Sequence, residues 1–411
     1  MKKTIKFYTL GCKANQYETQ SIREYFLNNG FSEKEGSAKA NVYVINTCTV
    51  TSKADSQSLN IIRRLRKENP KAKIIVTGCL TELDADKIKQ ACQVDSIIKN
   101  KDKNKISQSI SYFKNHTRAF LKVQDGCNYF CSYCKVPLVR GRSQSRDFNQ
   151  IISEAERLSA NGYKEIVLTG ICLGSYQDLA KLVSTLEKIP GLLRLRLSSI
   201  EPQDIKDDLI KVIKNSSVLC RHLHIPLQSG DDSILKKMRR RYSSKDFLRL
   251  VKKIRKNIPG IAITTDCLVG FPGETKENFQ NTVKLIKEIN PLKVHIFPYS
   301  PRPGTQSYLK YKTQVDLEEV KEKCRMLEAV NSNQAKKYLR KFLNKPMDVL
   351  IEGKVKGASE FWQGHTSNYI KVLVDSKENL YNKIIKVAPN KLKNECLQAI
   401  SYKRRAKNAK P

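Results

Sequence analysis

The first third of the chain repeats one pattern. An apolar, β-branched run ends at a cysteine and is followed by a longer stretch of polar, helix-forming residues. The runs are IKFYTLG before Cys12, NVYVINT before Cys48 and KIIVTG before Cys79. Strands alternating with helices in this way predict a parallel sheet with helices on its faces. Ligands of such sheets sit beyond the carboxyl ends of the strands, so all three cysteines fall at one edge, where they can converge. The stretch from Lys99 to His116 is basic and poor in apolar residues, and reads as a linker.

Between Arg118 and Pro298 six further runs have strand character: RAFLKV, KEIVLT, RLRLSS, RHLHIP, IAITTDCLV and KVHIFP. Stretches such as QIISEAERLSANG and KENFQNTVKLIKEI separate them, with apolar residues three and four apart as in amphipathic helices. Six strand–helix units predict an incomplete barrel, whose chemistry belongs at the C-terminal ends of its strands. Those ends carry DGCNYFCSYC, TGICLG, SIEP, PLQSG, GFPGE and PYSPRPGT. A charged helix is expected from about Asp316 to Phe342. After it, MDVLIEGK, NYIKVLVD and KIIKVAP are short strands without long helices between them, which predicts a small antiparallel barrel.

Charge adds a partner to this picture. The chain has 76 Lys and Arg against 40 Asp and Glu, a formal charge of +36, which favours a nucleic acid or an anionic surface. The excess is clustered at Arg63, Arg64, Arg66 and Lys67, from Lys236 to Arg241, and from Lys403 to Arg405. From Arg340 to Pro411 there are sixteen basic residues against six acidic ones. In that basic tail Phe361, Trp362 and Tyr369 have two readings: platforms for RNA bases, or filling for a small barrel. The uncharged stretch between Lys6 and Cys12 is too short for a signal sequence, and no apolar run reaches the length of a membrane span. A cytoplasmic protein without a membrane partner is expected.

Twelve cysteines in a chain of this length point to metal or redox chemistry rather than a disulfide framework. Cys127, Cys131 and Cys134 form C-x3-C-x2-C, a spacing that lets one loop wrap an iron-sulfur cluster. Three thiolates leave one of four irons open to a ligand, as a catalytic zinc keeps an open position. A zinc site is the rival, although zinc ligands usually come as two close pairs. Tyr133 is placed to pack over a bound adenine, or to fill space. Cys92, Cys172, Cys220, Cys267, Cys324 and Cys396 fall on no such pattern and read as small core residues, with Cys172 set apart by its place in a strand-end turn.

The segment GCNYFCSYCKVPLVRGRSQSR resembles the cluster loop of radical S-adenosylmethionine (SAM) enzymes. Together with TLGCKANQYE, VINTCTVT, VTGC, SIEPQD, HLHIPLQSGDDSIL and GFPGET, it is similar to the methylthiotransferase family from about Ile5 to Ser401. The resemblance implies an α/β protein in four parts. These are a flavodoxin-like N-terminal domain (1–116), a partial (β/α)6 radical SAM barrel (117–315), a helical linker (316–342) and a small all-β, OB-like TRAM domain that binds RNA (343–405). It implies two 4Fe-4S clusters, one on Cys127, Cys131 and Cys134, and an auxiliary one on Cys12, Cys48 and Cys79. For SAM it implies contacts from Tyr133, Gly170, Gly174, Ser199, Glu201 and Gln228.

The implied reaction is removal of the C2 hydrogen of an adenine by a radical made from SAM, followed by transfer of a methylated sulfur. Acid–base side chains do not open such a bond at useful rates, which is why a cofactor supplies the chemistry. The TLGCK and NTCTVT variants resemble the branch acting on threonylcarbamoyladenosine at position 37 of tRNA, next to the anticodon. Isopentenyladenosine or a ribosomal-protein aspartate are the alternative substrates, and a zinc-containing RNA-binding protein is the alternative of another class. An electron donor such as flavodoxin or ferredoxin, and a sulfur source, are implied partners.

Overall fold

The first sheet of the computed structural model, which describes residues 3–83, 85–106, 109–311 and 316–400, has five parallel strands. They are β1 (Thr4–Thr9), β2 (Ser32–Glu33), β3 (Val42–Thr47), β4 (Lys73–Gly78) and β5 (Ser96–Ile98), in the order β2-β1-β3-β4-β5. This is the flavodoxin-like strand order. The central strand β3 is buried along its whole length, as expected for a parallel strand covered on both faces. Helices Lys13–Asn28 and Ser52–Glu68 follow β1 and β3. The two edge strands escaped the sequence pattern because two or three residues show no periodicity.

The stretch from Lys99 to His116 is not a free tether. Ile110 and Phe113 are buried in the barrel core. The Ile110 N–H donates to Glu154 at 2.9 Å, and Lys103 is paired with Glu18 in the interior. A segment that looks polar in isolation is drawn in because its charge meets a partner far away in sequence.

The second unit contains β6 (Arg118–Asp125), β7 (Gln144–Ser145), β8 (Glu165–Gly170), β9 (Arg194–Leu197), β10 (His222–His224), β11 (Ala262–Val269) and β12 (Lys293–Pro298). All pair in parallel except β7, a short antiparallel addition to β6. Backbone bridges Leu195↔Leu219 and Ser199↔His224 join the two halves into one curved wall, the expected partial barrel. Alternation along the strands sends Leu121, Ile166, Leu195, Leu223 and Ile263 into the apolar core. It turns Glu165, Arg196, His222 and Thr264 to the opposite, inner face.

Helix Leu317–Arg340, capped by Asp316, runs beside β12, where Asn331 accepts the Val294 N–H at 2.9 Å. The tail is all-β: β13 (Met347–Val355), β14 (Ala358–Thr366), β15 (Lys371–Asp375), β16 (Ile384–Val387), β17 (Lys391–Lys393) and β18 (Cys396–Ile400). Their order is β16-β13-β14-β15-β18-β17, antiparallel apart from β15 with β18. The basic cluster Lys403–Arg405 lies outside the described residues.

The tail aromatics are mostly committed to packing. Trp362 is buried with Val349, Ile351 and Val372 in the core of this sheet. Tyr369 is stacked between His222 of the barrel, at 4.7 Å, and His365, at 4.9 Å. The Arg196 guanidinium lies 4.8 Å from the centre of the Tyr369 ring. Arg194 donates to the carbonyls of His365 and Asp348 (2.9 and 2.7 Å), and Arg196 to that of Thr366 (3.1 Å). Arg194 and His222 begin their strands, so the tail covers the N-terminal end of the barrel, opposite the strand ends that carry the cysteine loop. No described helix is long and apolar enough to cross a membrane.

Candidate functional site

The three N-terminal cysteines follow directly from strand order. Because β1, β3 and β4 are neighbours, the residues just past their ends are neighbours too. Cys12 caps helix Lys13–Asn28, Cys48 follows Thr47 and Cys79 follows Gly78. Two glycines permit the approach. Gly11 has φ +95, and a Cβ there would lie 2.9 Å from Cys48 Cβ; Gly78 has φ +102, and a Cβ would meet the Thr47 carbonyl at 2.3 Å. Asn15 ties the edge together by donating to the Leu10 and Thr47 carbonyls at 2.8 and 3.0 Å. Burial pushes the Cys48 thiol up to about 11, and the nearby Cys79 and Cys12 add to the shift. These sulfurs lose their protons when a cation compensates them, which suits a metal centre with soft thiolate ligands.

In the barrel loop each sulfur has an N–H donor. Tyr129 N–H reaches Cys127 Sγ at 3.4 Å, Val136 N–H reaches Cys134 Sγ at 3.4 Å, and Arg240 reaches Cys131 Sγ at 3.2 Å. Such N–H···S contacts stabilise thiolate and tune a cluster that it holds. Cys172, read from sequence as a core residue, places its thiol against Cys127. That contact brings Cys127 down to about 7 and pushes Cys172 up. Its position in the turn after β8 was the available signal.

The residues expected to contact SAM are distributed unevenly. Glu201 is ion-paired with Arg240, the same side chain that reaches Cys131, so it is linked to the loop. Gln228 has φ +66, and its N–H donates to the Asp266 carbonyl at 2.8 Å. Ser199 bridges to His224. Tyr133 packs with Ile234, Met238, Phe271 and Tyr299. Gly170 and Gly174 answer to protein packing: a Cβ would lie 2.9 Å from Gln124 Oε1 and 2.3 Å from Asp204 Cβ, respectively.

Long-range contacts hold the two cysteine groups together. Arg140 ends the short helix Val136–Arg140, which follows Cys134, and donates to Cys79 Sγ at 3.3 Å. It also pairs with Glu18 at 2.7 Å and Asp125 at 2.9 Å. Burial alone would raise the Glu18 carboxyl, but Arg140, Lys103 and Lys122 hold it well below the usual range. On the opposite side Arg302, in the turn after β12, donates to Thr49 at 3.0 Å and Ser52 at 2.8 Å and pairs with Asp55. It thereby grips the loop after Cys48.

Comparison with known proteins agrees with this arrangement. Residues 121–286 match the radical SAM superfamily, and residues 4–99 match an uncharacterized protein family, UPF0004. The chain is 38% identical to the threonylcarbamoyladenosine tRNA methylthiotransferase MtaB of Bacillus subtilis, covering 93% of each. The chain belongs to the radical SAM methylthiotransferases. The MtaB of Thermotoga maritima is 36% identical over 88% of this chain and 91% of its own. A tRNA-2-methylthio-N(6)-dimethylallyladenosine synthase of Acetivibrio thermocellus is 32% identical over 97% and 90%. In fold, the chain is similar to the radical SAM methyltransferase TsrM of Kitasatospora setae, with TM-score 0.56 and 13% identity over 75% of this chain and 78% of that one. As a radical SAM methylthiotransferase the protein uses SAM and a 4Fe-4S cluster.

Proposed function

We propose that this protein converts threonylcarbamoyladenosine at position 37 of tRNA to its 2-methylthio derivative. The carrying observation is the pairing of two cysteine triads from different units across an interface pinned by Arg140 and Arg302. The first-named relatives, MtaB of two bacteria, supply the substrate.

Cys127, Cys131 and Cys134 are the ligands of one 4Fe-4S cluster, and Cys12, Cys48 and Cys79 those of a second. When bound, the first supplies the electron that splits SAM so that the C2 hydrogen of adenine can be removed, and the second supplies the sulfur. The chain's own part is positioning. Arg240 orients Glu201 toward the cysteine loop, with Ser199 and Gln228 on adjoining strand ends as further SAM contacts. Arg140 and Arg302 set one triad against the other, and the tail shuts the opposite end of the barrel against water, which protects a reactive intermediate. Residues 1–116, 117–315, 316–342 and 343–405 form the auxiliary-cluster, radical SAM, linker and TRAM parts; within them 1–2, 84, 107–108, 312–315 and 401–405 lie outside the described residues. An electron donor such as flavodoxin or ferredoxin and a sulfur source complete the system.

The test is nucleoside analysis of tRNA from a deletion strain. The methylthio form of threonylcarbamoyladenosine should vanish and its precursor accumulate. Loss of methylthio-isopentenyladenosine instead would refute the assignment.

A further inference from the structure

The inner face of the barrel carries another group of ionisable side chains, beneath the strand ends that bear Glu201 and Gln228. His224 ends β10, while Asp266 of β11 and His295 of β12 are direct register partners. Their nitrogen and oxygen atoms lie within 4.8 Å of one another, with His224 Nε2 3.2 Å from Asp266 Oδ1 and the two imidazole centres 5.6 Å apart. All three are half-buried. The group is one layer below the strand ends, because Ile200 N–H donates to the His224 carbonyl at 3.0 Å and Gln228 N–H to that of Asp266 at 2.8 Å.

Glu201 is tied to Cys131 through Arg240. Burial depresses His295 below the ordinary imidazole value. In the function proposed above, the base loses hydrogen near the loop to which Glu201 is tied, above this group. Phe297 lies on the same strand face as His295, two residues nearer the strand end, and is 46% exposed, a free ring for a base to stack on.

The hydrogen-bond inventory decides what the group binds. His222 Nε2 and His224 Nδ1 both lie 2.9 Å from Thr264 Oγ1, and a single hydroxyl serves both by accepting from one and donating to the other. With Nε2 facing Asp266, both nitrogens of His224 are committed, and neither is left for a metal ion. His295 makes no hydrogen bond to any described residue.

We propose that His295 and Asp266, the latter held by His224, bind the polar substituent on N6 of the target adenosine and so select threonylcarbamoyl over isopentenyl. The assignment rests on the function proposed above. The threonylcarbamoyl group ends in a carboxylate and carries a hydroxyl and urea N–H groups. Asp266 accepts from the hydroxyl or a urea N–H, and His295 donates to the carboxylate. An isopentenyl group offers none of these partners and would leave the half-buried His295 without a partner, the kind of mismatch that polar sites reject.

The experiment measures binding of anticodon stem-loop RNAs carrying threonylcarbamoyladenosine, isopentenyladenosine or plain adenosine, and their methylthiolation rates, on the reconstituted full chain. The parent should prefer the threonylcarbamoyl loop. Asp266→Asn and His295→Phe should each cut that preference by about tenfold, as expected for one lost polar contact, and His295→Gln should restore part of it. Equal losses on all three RNAs, leaving the ratio unmoved, would mean a merely structural role and overturn the assignment. A parent that prefers the isopentenyl loop overturns both this and the proposed function; a parent with the expected preference and unmoved variants overturns this alone. Stoichiometric zinc that disappears in His295→Phe would make the group a metal site and also overturn it.

Discussion

The Nε–H of Arg140 points at the sulfur of Cys79 from 3.3 Å, although one ends the helix after the barrel loop and the other follows a strand of the first sheet, each beside a different cysteine triad. The same guanidinium is buried against Glu18 and Asp125. One side chain therefore links the loop that holds one triad to the sulfur of the other.

Arg140→Met should consequently destabilise the protein and misalign its two halves. Removing one member of a buried ion network leaves the others uncompensated, at a cost of about 3 kcal/mol. Lys103 and Lys122 remain beside Glu18, so Glu18→Gln combined with Arg140→Met should cost less than the sum of the single changes. Thermal melts of the three variants check the non-additivity.

The two triads should fail in different ways. Cys131→Ala should abolish 5'-deoxyadenosine formation and product together. Cys48→Ala should abolish methylthio transfer while 5'-deoxyadenosine release with a strong reductant persists. Iron should fall from about eight to about four per chain if each site holds a 4Fe-4S cluster. Full iron and parental transfer in Cys48→Ala would remove Cys48 from the ligand set.

Asp231 provides a pH signature. It caps helix Asp232–Lys237, accepting from Ser233 and Ile234 N–H at 3.0 and 3.1 Å, with Asn281 at 2.8 Å. Partial burial pulls the other way, but these donors hold the carboxyl near about 2, below the ordinary 3.8. A depressed folded-state value stabilises above about pH 4 and loses that contribution as pH falls toward 2. The stability gap between the apoprotein and its Asp231→Asn variant, on the order of 1 kcal/mol for a cap, should be constant near neutrality and close below pH 4 in melts.

RNA contact by the tail should run through its outer lysines, since its best-placed rings are packed. Lys383, Lys386, Lys391 and Lys393 are exposed. Replacing all four with Gln should weaken tRNA binding and flatten its salt dependence by roughly 0.7 to 0.9 in log–log slope per phosphate contact removed. An unchanged slope would place the RNA elsewhere.

Which of these features the sequence disclosed follows from the range of the interactions. β3 and β8 are legible because burial on both faces demands an unbroken β-branched run, and the cysteines are legible because they end such runs. Lys103 was not, since only its distant partner Glu18 explains a buried lysine in a polar stretch. Tyr369 shows the same limit from the other side: its ring was evident, but its place between His222 and His365 depends on how two units dock. Arg140 and Arg302 look like ordinary surface charge until the units meet.

Tyr369, wedged against His222, gives the barrel a closed floor. In the proposed function cofactor and RNA base approach from the other end, at the rim where the cysteines stand. In the proposed function SAM is both radical source and methyl donor, so this rim must be crossed repeatedly for every base modified. The order of traffic through it, and whether the RNA steps aside between crossings, thereby becomes part of how the reaction is timed.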